Sequence, residues 1–188
     1  MKQLWVLAGG NGAGKSTFYN TRLKPFGIPF INADIIAKKL YPDSADDNSY
    51  FAAKVAEGIR QRLIKEGRSF CMETVFSHPS KIDFIARAKA LNYQIIFVFI
   101  HLKLNTLNQA RVASRVRLGG HSVPDEKILA RIPRTLANAA KVIPLCDEVR
   151  VLDNSSAENP FRPIITIKEH QVLFAEDPLP EWAAALTQ

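Results

Sequence analysis

Sulfur is scarce in this chain, with two cysteines and two methionines among 188 residues. Cys71 and Cys146 both fall in apolar, strand-like stretches, where buried reduced thiols fit better than a disulfide. Long hydrophobic runs are also missing. The longest, Ile95 to Ile100, is far too short to span a bilayer. No basic segment, apolar core and cleavage site precede the first strand, so no secretory signal is visible, and the expected compartment is the cytoplasm with no membrane partner. His78, His101 and His170 are scattered without metal-ligand spacing, which argues against a metal site built by the protein alone. There is no internal repeat and no low-complexity segment. What remains is 47% hydrophobic and 23% charged, an ordinary soluble globule of one domain's length.

Against that plain background, residues 9 to 16 stand out as Gly-Gly-Asn-Gly-Ala-Gly-Lys-Ser, a complete G-x-x-x-x-G-K-[ST] loop. It follows the apolar run Leu4 to Ala8 and opens into Thr17, Phe18 and Tyr19, so a buried strand and a helix start flank it as such a loop requires. Gly9, Gly10, Gly12 and Gly14, with Asn11 and Ala13 between them, let the backbone wrap a polyphosphate with its N–H groups inward. Lys15 puts an ammonium on the outer phosphates, Ser16 offers a hydroxyl to a nucleotide-bound Mg²⁺, and Thr17 continues the helix whose positive end faces the anion. The motif predicts nucleoside triphosphate binding.

Apolar runs alternate with helix-period segments, the pattern of a parallel sheet covered by helices. Strands are predicted at Gln3–Ala8, Pro29–Asn32, Ser69–Met72, Gln94–Ile100 and Glu148–Leu152. Helices are predicted at Lys15–Leu23, Asp34–Lys39, Ser49–Glu66, Ser80–Leu91, Leu104–Arg117 and Asp125–Val142. In the third of these, Phe51, Val55, Ile59, Leu63 and Ile64 form one apolar face toward the sheet. Leu118 to Pro124 carries two glycines and a proline, marking a hinge in which His121 is expected as a hydrogen-bonding loop residue, with catalysis the lesser alternative because Asp34 is the better-placed base. The expected organisation is a core over residues 1–153, including a lid over 104–142, and a C-terminal hairpin and helix over 154–188.

A phosphate loop does not by itself separate a kinase from a GTPase or a motor, so the other strand ends decide. Strand two ends Asn32-Ala33-Asp34. Asp34 could take the proton of an attacking hydroxyl, or simply cap the helix that follows. Strand three ends Met72-Glu73-Thr74, where Glu73 could hold Mg²⁺ through water, bind a substrate hydroxyl, or cap a turn. Glu57, taken alone, is a mid-helix surface acid. Between His101 and Lys141 the chain carries Lys103, Arg111, Arg115, Arg117, Lys127, Arg131, Arg134 and Lys141 against Asp125 and Glu126 only. That excess favours an anionic partner, and a mobile arginine lid would suit phosphoryl transfer. Aromatic residues are not interleaved as a single-strand nucleic-acid platform requires, so a small-molecule phosphate is expected and nucleic acid is not. A nucleic-acid-associated ATPase stays as the alternative.

Taken together, Ala8 to Thr17, Asn32-Ala-Asp34, Glu73-Thr-Val-Phe-Ser77, Arg115 to Pro124, Ile128-Leu-Ala-Arg131, Arg134 and Asn138 resemble the zeta toxin family of small P-loop kinases. The similarity runs over roughly residues 1 to 153, in the right order. It implies a nucleotide-kinase-like α/β core with an arginine-bearing lid, and ATP–Mg²⁺-dependent phosphorylation of a hydroxyl of a nucleotide sugar, UDP-N-acetylglucosamine. Another phosphorylated metabolite or nucleotide could occupy the site instead. The resemblance also implies Asp34 as general base and Lys15 as phosphate-loop lysine. Glu57, Glu73 and Thr74 become substrate-side residues, and Arg117, Arg131 and Arg134 the lid arginines. A cognate antitoxin protein is the implied partner.

Overall fold

The computed structural model describes residues 1–120 and 122–187; His121, and with it the loop role expected for it, lies outside them. The chain runs β1 (Gln3–Ala8), α1 (Lys15–Phe18), β2 (Phe30–Ile31), α2 (Ala33–Leu40), α3 (Ser49–Lys65), β3 (Phe70–Thr74), α4 (Ser80–Ala90), β4 (Gln94–His101), α5 (Asn105–Arg117), α6 (Asp125–Val142), β5 (Glu148–Asp153), β6 (Arg162–Lys168), β7 (Gln171–Ala175) and α7 (Glu181–Ala184). The seven-stranded sheet has the order β2-β3-β1-β4-β5-β6-β7. Strands β2, β3, β1, β4 and β5 are parallel, and β6 and β7 add antiparallel at one edge.

Why the central strands are so apolar follows from burial on both faces. In β4, Ile95, Phe97 and Phe99 pack on one side with Leu4 and Val6 of β1, under α4 and α6 through Ile85, Ala88, Ala139 and Val142. The alternate residues Ile96, Val98 and Ile100 pack on the other side with Leu7, Phe18, Tyr19 and Leu23. A period of two therefore serves two cores at once. Tyr93 fastens the end of α3, its hydroxyl donating to the carbonyls of Leu63 and Arg68 at 3.0 Å each.

Three local outcomes differ from the sequence pattern. The helix expected over Lys15–Leu23 is α-helical only to Phe18 and widens into a π-helical turn over Tyr19–Leu23. Thr21 sits in that turn with its hydroxyl on the Thr17 carbonyl at 2.9 Å, a side-chain bond that competes with the helical ladder. In α3 the buried face is Ala52, Ala56, Arg60, Leu63 and Ile64, while Phe51 is 50% exposed. Small residues, not the larger apolar ones, let the first half of this helix approach its neighbours. Finally, the segment after residue 153 does not stand apart: β6 pairs with β5 from Glu148↔Lys168 to Asp153↔Arg162. Among the described residues no helix is long and apolar enough to cross a membrane.

Candidate active site

The order β3-β1-β4 places β1 where the chain first leaves to one side and later returns to the other. In open α/β sheets this switch point, at the strands' carboxyl ends, is where ligands sit. The glycine loop leaves β1 at that point. Gly9 has φ of 145°, and a Cβ there would lie 2.1 Å from the Ile100 carbonyl oxygen. Gly14 has φ of 101°, and its Cβ would lie 2.4 Å from Asn154 Nδ2. At both positions only glycine fits the backbone and the space.

Two asparagines and two arginines brace the loop from outside. Asn108 Nδ2 donates to the Asn11 carbonyl at 2.6 Å, and Asn154 Nδ2 to the Ala13 carbonyl at 2.8 Å. Arg111 Nη2 donates to the Asn154 carbonyl at 2.9 Å, and Arg131 Nη1 to Asn11 Oδ1 at 3.4 Å. Inside the loop, the buried Lys15 Nζ donates to the carbonyls of Gly9 and Gly10 at 3.0 and 2.9 Å. Burial pulls its pKa below the usual lysine range, opposed by the carboxylates of Glu73 and Asp34. Those attractions favour the charged ammonium that a polyphosphate needs.

Glu73, at the end of β3, ties the first three strands together. Its Oε2 accepts from Ser16 Oγ at 2.7 Å and from Asn32 Nδ2 at 2.9 Å, and its Oε1 lies 3.8 Å from Lys15 Nζ. Asn32 is also the N-cap of α2, its Oδ1 accepting from the Ile35 backbone N–H at 3.0 Å. The capping role open to Asp34 therefore belongs to Asn32. Asp34 lies in the first turn of α2, exposed, and borders the same cavity as Lys15 and Ser16. Thr74 Oγ1 accepts from the Phe76 N–H at 3.0 Å and supports a residue held at φ 65°.

The cavity measures about 1020 Å³. One side is formed by Ser156, Ala157, Pro160 and Phe161 of the loop after β5, and the other by α3, the segment after β3 and the start of α4. It gathers Asn11, Gly12, Gly14, Lys15, Ser16, Thr17, Asp34, Glu57, Glu73, Thr74 and Arg131. Gly9, Gly10 and Ala13 form the loop's inner, buried side. Arg117 and Arg134 are not brought to it. On α5 it is Arg111 and Arg115 that face the cavity. They share a face at i and i+4, and Arg117, two residues on, points to the opposite side. On α6, Arg131 borders the buried face of Ile128, Ile132 and Thr135, whereas Arg134 is exposed and donates from Nε to its own helix at Ala130. Among the described residues no group of three His, Cys, Asp or Glu side chains could hold a metal ion. The Ser16 hydroxyl and the carboxylates of Asp34 and Glu73 border the cavity as oxygen groups.

Asn32, Asn108, Asn154 and Arg60 were not singled out by the sequence as site residues, and Arg111 and Arg115 entered only within the basic cluster between His101 and Lys141. For Asn154 the signal was available, since it directly follows a buried strand at the sheet's carboxyl edge. For Arg111 and Arg115 it was their four-residue spacing. Asn108 had none, because only the packing of α5 on the loop gives it a role.

A phosphate-cradling loop at the switch point of a parallel sheet, with one carboxylate on the neighbouring strand tip and another in the first turn of α2, defines the class as a P-loop kinase fold. The chain belongs to the Zeta toxin family, whose profile matches residues 1–160. Its fold is similar to a chain of the AvrRxo1-ORF1:AvrRxo1-ORF2 crystal structure with sulphate ions, at 18% identity and TM-score 0.72, over 95% of this chain. The protein spans 62% of that chain's length. It is also similar in fold to a structure from the PezAT chromosomal toxin-antitoxin system of Streptococcus pneumoniae, at 16% identity and TM-score 0.61, over 92% of this chain and 70% of that one. In sequence it is 29% identical to an uncharacterized protein of Haemophilus influenzae, over 69% of this chain and 97% of that protein.

Proposed function

We propose that this protein is an ATP-dependent kinase that phosphorylates a hydroxyl of a small-molecule acceptor, with UDP-N-acetylglucosamine the leading candidate. One observation carries the reading: Asp34, relieved of capping by Asn32, borders the same cavity as the phosphate-loop Lys15. Family membership supports the chemistry, and a neighbouring structure of the same fold was solved with ATP. The acceptor is proposed from the zeta toxin resemblance.

In this reading the glycine loop and Lys15 hold the triphosphate. The carboxylate of Asp34 accepts the acceptor's hydroxyl proton as that oxygen bonds to the γ-phosphorus and the bridging oxygen leaves with ADP. Arg131 and Arg115, at the cavity wall, stabilise charge spread over the transferred group. Glu57, Glu73 and Thr74 are substrate-side residues in the same reading, and Glu73 also orients Ser16. Mg²⁺, held by Ser16 and the nucleotide, would draw charge from the β- and γ-phosphate oxygens. A cognate antitoxin partner belongs to the same proposal, supported by a neighbour that comes from a toxin-antitoxin system, and so does a cytoplasmic setting.

The test is incubation with ATP–Mg²⁺ and a panel of nucleotide sugars, nucleotides and uncharged sugars, followed by mass spectrometry. A phosphate mass gained on UDP-N-acetylglucosamine supports the full reading. Gain on another acceptor keeps the kinase and changes its substrate, and hydrolysis of ATP with no acceptor labelled overturns it.

A further inference from the structure

At the end of the cavity formed by α3 and α4, Arg60 is only 6% exposed, yet its Nε has no hydrogen-bond acceptor. Burying a guanidinium is costly unless its donors are met. Its charge is only partly answered. The guanidinium lies over the Phe84 ring at 5.8 Å, and the carboxylate of Glu57, one turn earlier, attracts it. Glu57 Oε1 itself accepts from Gln61 Nε2 at 3.4 Å. Across from α3, Lys81 of α4 borders the same space, and burial and the charge of Arg60 hold its pKa below the usual lysine range. Lys54, Arg60 and Lys81 thus line this end against the single carboxylate of Glu57. Two cations from different helices share a desolvated corner, and an anion placed between them would relieve the repulsion and fill the empty donor.

We infer that this corner is a second anion site, separate from the glycine loop, at which Arg60 and Lys81 grip a phosphate or diphosphate group of the acceptor. This rests on the kinase reading, since the acceptor must share the cavity with the triphosphate. It assigns these two residues to the phosphate of an acceptor such as UDP-N-acetylglucosamine, and an uncharged sugar or alcohol would leave the Arg60 donor without an anion. Arg60 supplies the planar fork that matches phosphate oxygens, and Lys81 a compact point charge.

The test is calorimetric titration of inorganic pyrophosphate into protein already saturated with a non-hydrolysable ATP analogue and Mg²⁺, so that the glycine loop is filled. One pyrophosphate site is expected, weakened at least tenfold by Arg60→Gln and by Lys81→Gln, with analogue affinity changed less than twofold. Should Arg60→Gln not fold, Lys81→Gln on the other helix decides alone. No binding to the saturated wild type, or equal binding by the variants, overturns the inference. The kinase reading fails differently: pyrophosphate binds with the expected dependence, yet no acceptor gains phosphate.

Discussion

In the proposed kinase, Lys15 and Asp34 make separable contributions. Lys15 donates to two loop carbonyls that a bound triphosphate would replace as partners, so Lys15→Ala should weaken ATP binding and lower turnover together. Among the described residues Asp34 makes no hydrogen bond to the glycine loop, and Asp34→Asn should lower turnover by about a hundredfold or more with nucleotide affinity nearly unchanged. Nucleotide titration alongside initial rates separates the two, and retained activity in Asp34→Asn would reject the base assignment. Gly14 poses a purely steric question. With φ of 101° and Asn154 Nδ2 in the space a methyl would take, Gly14→Ala should displace the Asn154 bond to Ala13 and weaken ATP binding. Unchanged affinity in that variant would show that the loop relaxes freely.

Among elements, α6 determines the shape of the cavity without supplying most of its surface. Thr135 Oγ1 donates to the Val75 carbonyl at 2.9 Å and Asn138 Nδ2 to the Phe76 carbonyl at 2.9 Å. These two bonds hold the segment after β3, in which Phe76 has φ of 65°. Asn138→Ala leaves a buried carbonyl unmet, and a loss of about 1–3 kcal/mol of stability is expected. A shift in urea midpoint at constant m-value is the measurement. Because Glu73 keeps its bonds to Ser16 and Asn32, nucleotide affinity should stay close to wild type in that variant. The connection between α5 and α6 touches α2 as well, through Lys38 Nζ on the Gly119 carbonyl at 3.1 Å. Movement of the arginine-bearing helices would therefore be felt at the element that carries Asp34.

For the molecule as a whole, pH should act through a residue outside the site. His101 ends β4 opposite Asp153, buried between the rings of Phe99 and Trp182, with centroids 6.0 and 4.4 Å away. Burial lowers its pKa to about 4 despite the attraction of Asp153. The unfolded chain binds this proton near pH 6.5, so between 6.5 and 4 the unfolded state holds more protons than the native one. Stability from this group is fully present above pH 6.5 and is lost as pH falls toward 4, by on the order of 3 kcal/mol. Thermal melts of wild type and His101→Phe across pH 4 to 7 should show the wild type losing more over that interval. Parallel curves would mean that His101 titrates normally. The β5–β6 edge binds this region into the same sheet, with Arg162 donating to both Asp153 and Glu176.

The glycine loop, the strand and helix order and the acidic strand tips were open to view in the residues, because each depends on local chemistry. A loop that wraps phosphate needs glycines in succession, and period-two or helical spacing reflects which side meets the core. The hairpin after residue 161 was also legible, although its place at the sheet edge was not. What the fold alone decided was direction. Asn32 rather than Asp34 caps α2, Arg111 and Arg115 rather than Arg117 face the cavity, and a buried Arg60 emerges where the pattern suggested an apolar stripe of Phe51 and Val55. In each case side chains a few residues apart differ by a rotation about a helix axis, and only packing against distant elements fixes that rotation.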